Sequence, residues 1–378
     1  MITRTKSLAG VALLASAAFV LTACAATEEA AMDETNTAGA EANSSLSGTL
    51  VGAGASSQGS AQEAWVAGFQ TANPDVTVTY DPIGSGGGRE TFQSGASSFA
   101  GSDRAFKVDE ITEGPFGSCV EEAGIWEIPA YISPIAIIFN LEGISSLNLD
   151  ADTLAQIFTG EITNWNDAAI ASQNAGVDFP DLSITAVHRS DESGTTANFT
   201  DYMSKASTDF WLLAGENAGS FEAWPAEWGG EGAPQTSGVV DAVTNGTGTI
   251  GYADASRAGS LGTVSVKVGS EYVPYSPEAA AKIVDASPAA NPGERGDNDL
   301  AIELDRASEA SGTYPIVLVS YLIGCNDYAD DSVVDLVKGY VSYVVSEEGQ
   351  LAAQANAGNA PISADSRAKA EAILASIK

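Results

Sequence analysis

Val76, Val78 and Tyr80 alternate with Thr77 and Thr79, the two-residue period of a strand with one face buried. Apolar runs at Ile135–Phe139, Leu182–Val187 and Ile316–Tyr321 predict further strands. Between them the spacing becomes helical: Trp65 and Phe69 lie one turn apart before Asn73-Pro74, and Leu154, Ile157 and Phe158 share a face. Phe199, Tyr202 and Met203 do the same, as does the stretch Val333 to Val345. Strands alternating with helices from about residue 48 onward predict an α/β architecture with mostly parallel sheets. The body is too long for one sheet-centred core, and no internal repeat is visible.

The polar residues cluster where predicted strands give way to helices. Gly52-Ala53-Gly54-Ala55-Ser56-Ser57 follows Leu50 and Val51, and Gly84-Ser85-Gly86-Gly87-Gly88 precedes Arg89-Glu90-Thr91-Phe92. Arg189-Ser190-Asp191-Glu192-Ser193-Gly194-Thr195 is a third such turn, and Gly101-Ser102-Asp103 is a further polar turn. The first four N–H groups of a helix lack internal partners and carry the positive end of its dipole, so a helix start offers donors to an oxyanion. Glycine lets backbone N–H groups approach such a ligand, and Arg189 adds a bidentate fork. Taken singly, the glycine cluster also reads as a linker, Arg189 as a surface charge, and Ser193 or Asp103 as a helix cap. Recurrence of the pattern favours anion binding.

In order along the chain, these segments resemble those of the extracytoplasmic phosphate-binding proteins that feed phosphate ABC transporters. Asp152-Thr153-Leu154, Ile157 to Ile162 with Trp165, and Thr249-Ile250-Gly251-Tyr252 extend the resemblance over most of the chain. It implies a periplasmic-binding-protein fold: two lobes, each a mostly parallel sheet flanked by helices, joined by two crossover strands near Ile132-Ser133-Pro134 and Tyr314-Pro315-Ile316. Residues 48–133 with 315–378 would form lobe I and 134–314 lobe II. The implied function is high-affinity capture of inorganic phosphate by a monomer that delivers it to permease subunits. The implied ligand set is Ser56, the amide of Ser57, Ser85, Asp103, Arg189, Ser193, the amide of Gly194, and Thr195, with Asp191 orienting Arg189. Asp103 would select phosphate by accepting its proton. Ser57 stands where many relatives have an aromatic, and His188 where many have an arginine.

Residues 1–23 have a basic start with Arg4 and Lys6, a short apolar core and a small-residue end, the marks of a secretory signal. Leu21-Thr22-Ala23-Cys24 matches a bacterial lipoprotein cleavage site, so the resemblance implies that Cys24 is lipidated and anchors the protein to the outside of the cell membrane. Residues 25–47 carry five acids, no base and no periodic apolar face, and read as a disordered tether. Cys119 and Cys325 remain, and in an exported protein they read as a disulfide, with two buried free thiols as the alternative.

A formal charge of −34, two units more negative once Arg4 and Lys6 are removed, argues against nucleic acid as a partner. One histidine, His188, leaves no base for a serine triad and few ligands for a metal, and no cofactor is expected. Acid pairs such as Glu121-Glu122 and Asp330-Asp331 read as solvated surface. A non-enzymatic receptor is the expectation. Sulfate or molybdate binding, or a tethered phosphate sensor without transport, are the alternatives.

Overall fold

A computed structural model describes residues 46–210 and 219–378. The expected signal, Cys24 and all but the last two tether residues lie outside the described residues. Leu46 is partly buried against the core.

Strand β1 (Gly48–Gly54) pairs in parallel with β2 (Val76–Asp81) and β3 (Phe99–Ser102). β3 lies antiparallel to β11 (Val317–Cys325), which runs antiparallel to the first ten residues of β4 (Ile125–Phe139), from Cys325 opposite Ile125 to Val317 opposite Pro134. From Ile135 onward β4 exchanges this partner for β8 (Thr249–Asp254), followed in parallel by β6 (Thr185–Arg189) and β7 (Glu231–Ala233). Strand β9 (Gly262–Val268) joins the end of β4 and carries β5 (Ser146–Leu149) and β10 (Glu271–Val273).

The expected parallel pairing therefore holds for β1 with β2 and β3, for β6 with β7 and β8, and for β5 with β9, while β10 and the long inner strands β4 and β11 pair antiparallel. β4 carries the chain one way through both strand groups and β11 carries it back, so the two must oppose. β4 is also longer than the run Ile135–Phe139 suggested, and all its residues are buried, as a strand covered on both faces requires. Its prolines sit where the ladder is irregular: Pro134 at the change of partner, and Pro129 beside a register shift between Ser320 and Tyr321. β6 begins at Thr185, later than Leu182.

Helices α1 (Gly59–Ala72), α2 (Ser85–Gln93), α3 (Val108–Glu113), α4 (Ala151–Phe158), α5 (Ala168–Gln173) and α6 (Gly194–Ala206) connect the strands. α1 packs on the C-terminal helices: Trp65 Nε1 donates to Gly349 O at 2.9 Å, and Phe69 meets the Tyr340 ring edge-on at 5.4 Å. The expected disulfide is present, joining Cys119 to Cys325 with 5.2 Å between Cα atoms. Among the described residues no helix is long and apolar enough to cross a membrane.

Candidate oxyanion-binding site

The glycine turns are close-contact joints rather than linkers. Gly54, at φ +146°, ends β1 so near β3 that a β-carbon there would lie 2.0 Å from Gly101 O. At Gly88 it would lie 2.3 Å from Gly54 Cα, which seats the start of α2 directly on the end of β1. Gly84, at φ +100°, begins α2 within reach of Asp191 and Glu192, and Gly86 N donates to Glu192 O at 3.3 Å. At Gly194 a β-carbon would meet Ser85 Oγ at 2.5 Å and Asp103 Cβ at 2.7 Å. Only residues without side chains allow these turns to converge.

Asp103 is at the centre. Its Oδ1 accepts hydrogen bonds from Ser57 Oγ and Ser320 Oγ, both at 2.6 Å, and Oδ2 accepts from Thr195 Oγ1 at 3.0 Å. Its own N–H donates to Ser85 Oγ at 3.1 Å. Ser57, Ser85, Asp103, Arg189, Ser193 and Thr195 are each no more than 3% exposed, so their interactions escape most solvent screening. Burial pushes the Asp103 carboxyl up, opposed by the three hydroxyls and the Arg189 charge. Asp103 is not a helix cap: α3 starts at Val108, and the carboxylate oxygens are held by hydroxyls.

Arg189 ends β6. Its Nε donates to Asp191 Oδ1 at 2.7 Å and its Nη2 to Asp191 Oδ2, so Asp191 takes one edge of the guanidinium. Five N–H groups are available on arginine, and those on Nη1 remain for an anion. Asp191 is fixed in turn by Gln235 N at 2.9 Å, and the nearby guanidinium holds its carboxyl below the usual range against the effect of burial. Ser193 caps α6, accepting from Thr196 N at 3.2 Å, and its hydroxyl proton is still available to a ligand. Ser56 is half-buried and bonded to Thr236, with 3.1 Å between hydroxyls. The short turn Ser56–Gln58 and α2 have no side-chain cap, so no side chain occupies their first amides.

The sequence reading missed several members. Ser57, expected to act through its amide, places its hydroxyl on Asp103. Ser320, from the other end of the chain, and Gln58, whose Nε2 donates to Ser320 Oγ at 2.7 Å, stand behind it. Arg89 is a second buried guanidinium near the turns, held by Ser102 Oγ and by Glu222, which also takes Arg104 Nε at 2.9 Å. Nothing local in the sequence marked Gln58 or Ser320. His188 stacks on Trp224 at 4.9 Å with Nδ1 2.8 Å from Arg189 O, a structural role, and burial lowers its pKa. Among the described residues no cluster suits a metal ion. Hydroxyl and guanidinium donors around one carboxylate suit an oxyanion that still bears a proton.

Residues 39–348 match the model of the PBP superfamily domain, and the chain belongs to this superfamily. Within it the chain is similar to curated phosphate-binding proteins. The phosphate-binding protein PstS 3 of Mycobacterium tuberculosis is 34% identical, over 89% of this chain and 90% of that protein. PstS 2 of the same organism is 31% identical, over 90% of each. Among solved structures, a high affinity periplasmic phosphate-binding protein (PfluDING) bound with phosphate superposes with a TM-score of 0.67, 22% identity, and coverage of 86% of this chain and 93% of that one. At that identity the likeness is one of fold, and it bears out the periplasmic-binding-protein architecture.

Proposed function

We propose that this chain captures one inorganic phosphate with high affinity and delivers it to the permease subunits of an ABC transporter, without catalysing a reaction. The observation that carries this is the buried Asp103 carboxylate among hydroxyl donors beside Arg189. An acceptor in an anion site is unfavourable unless the anion brings a hydrogen. Phosphate near neutral pH carries at least one P–OH; sulfate carries none. The family relationship to phosphate-binding proteins supports the same ligand.

In this reading lobe I is 48–133 with 315–378 and lobe II is 134–314. The exchange of β4 from β11 to β8 at Pro134 and Ile135 supports that division. Ser56, Ser57, Ser85 and Asp103 act from lobe I, and Arg189, Ser193, Gly194 and Thr195 from lobe II, with Asp191 orienting Arg189. The acidic surface repels phosphate at long range, but screening over about 8 Å at physiological ionic strength lets the local donors prevail inside the cleft. Residues 1–23 act as the signal, and a lipidated Cys24 with the following tether holds the monomeric body at the outer face of the membrane.

Calorimetry of the mature body, freed of endogenous ligand, tests the proposal. Tight 1:1 phosphate binding with sulfate ignored is expected. Tighter binding of sulfate or molybdate would refute it, and turnover of phosphoesters by the pure protein would refute the non-enzymatic part.

A further inference from the structure

A row of buried polar side chains leads away from Asp103 through the body. Tyr340 Oη donates to Gln62 Oε1 at 2.6 Å, Gln62 Nε2 to Gln58 Oε1 at 2.9 Å, Gln58 Nε2 to Ser320 Oγ at 2.7 Å, and Ser320 Oγ to Asp103 Oδ1 at 2.6 Å. Tyr340, Gln58 and Ser320 are fully buried, and Gln62 nearly so. Gln58 Nε2 also donates to the carbonyl of Tyr321 at 3.1 Å. A carbonyl only accepts, so that contact fixes the Gln58 amide with its N–H₂ toward Ser320. Ser320 therefore receives from Gln58, and its single proton goes to Asp103.

The backbone prepares this aim. β4 and β11 change register between Ser320 and Tyr321: Ser320 faces Tyr131, Tyr321 faces Pro129, and Ala130 is the extra residue. The Ala130 carbonyl is taken by Gln350 Nε2 at 2.9 Å. Such irregularities re-aim side chains next to functional sites.

We propose that Ser320, oriented by Gln58, is a specificity-determining positioning residue that keeps Asp103 a hydrogen-bond acceptor toward the ligand and so excludes fully deprotonated oxyanions. The assignment rests on the phosphate reading given above. With Oδ1 saturated by Ser320 and Ser57, a proton on Asp103 can reside only on Oδ2, the oxygen shared with Thr195. There it would donate to sulfate and abolish discrimination. Donors to a carboxylate favour its ionised form, so each one lost makes that proton easier to acquire. The other groups that face Asp103 are the Arg189 guanidinium, which opposes protonation, and the Tyr80 hydroxyl, which donates to Ala55 O and stays neutral. Arg104, next in the chain, is committed to Glu110 and Glu222. Arg306 is committed to Asp201, to the carbonyls of Pro315 and Val317, and to Asn198, which holds the Asp103 carbonyl.

Ser320→Ala tests this by calorimetry against sulfate and phosphate at about pH 5.5 and about pH 7.5, a range chosen to bring out a raised carboxyl. Sulfate affinity should rise about tenfold or more at the lower pH, and less at the higher, while phosphate affinity falls by less than about tenfold. Ser320→Thr, which keeps the hydroxyl, should restore rejection, and Gln58→Met should show the same pH-dependent gain more weakly. These two variants also decide the matter if Ser320→Ala folds poorly. Phosphate binding by the wild-type chain with unchanged sulfate affinity in Ser320→Ala and Gln58→Met would overturn this assignment alone. A loss of phosphate affinity with no gain for sulfate would do so too, since that is what a merely structural serine gives. Failure of the wild-type chain to bind phosphate would overturn the functional reading and the assignment together.

Discussion

Replacing Arg189 with alanine removes a guanidinium that is only 2% exposed. Its Nε and Nη2 are committed to Asp191, so the mutation deprives a bound anion of Nη1 and strands the Asp191 carboxylate with Gln235 N as a remaining partner. Arg89 does not substitute, because Ser102 and Glu222 already hold it. Breaking a buried ion pair by removing one partner costs about 3–5 kcal/mol, which corresponds to about two to four decades in phosphate Kd at 1.4 kcal/mol per decade. The Asp191 side chain is 23% exposed and can regain water, so the loss should appear mainly in binding and only weakly in thermal stability. Isothermal calorimetry on folded Arg189→Ala protein measures it. Part of the effect is repulsion between the stranded Asp191 and the ligand, and the double variant Arg189→Ala with Asp191→Ala should recover that part. A loss of affinity below about threefold in the single variant, well short of one decade, would mean that the anion lies elsewhere and that Arg189 is a structural partner of Asp191.

Asp103→Asn should gain sulfate binding with little change in melting temperature: Ser57 and Ser320 hold the Oδ1 position as an acceptor, so the amide N–H₂ faces the ligand, and calorimetry with sulfate reads the gain. Cys119→Ser with Cys325→Ser should cost about 2–5 kcal/mol of stability and leave phosphate affinity unchanged, checked by thermal melts, while unreduced peptide mass spectrometry confirms the bond in the native protein. Asp254, fully buried with Oδ1 on Tyr131 Oη at 2.9 Å, has its carboxyl pushed up to about 6 by burial. Its folded value lies above the unfolded one, so its contribution is full below about pH 4 and is lost as pH rises to about 6. Asp254→Asn escapes that loss, worth about 2–3 kcal/mol, and should melt above wild type at neutral pH; a lower melting temperature there would refute the assignment.

Periodicity determined the elements whose residues contact one layer of neighbours. β2 and α4 stand where alternation and helical spacing put them, because a half-buried strand or helix leaves its buried face in the residue order. It failed for β4, which is covered on both faces and shows no alternation: Glu127, Pro129, Ser133 and Pro134 interrupt its apolar residues, so only Ile135–Phe139 stood out. The turns that hold Ser57, Ser85, Arg189 and Ser193 were legible because a strand-to-helix junction needs glycine and capping residues locally, whatever the rest of the chain does. Cys119 and Cys325 were legible as the cysteines left over once Cys24 was set aside.

Tertiary structure alone decided how those turns meet. Gly194 is indispensable only because Ser85 and Asp103 come to it from other elements, and a cap stays open as the alternative for Asp103 until hydroxyls from Ser57, Thr195 and Ser320 are seen on it. Ser320 lies 217 residues from Asp103, and its aim depends on a register shift set by strand pairing. Side-chain direction in a sheet follows register, and register follows from which strands pair, a property of the whole fold rather than of any segment.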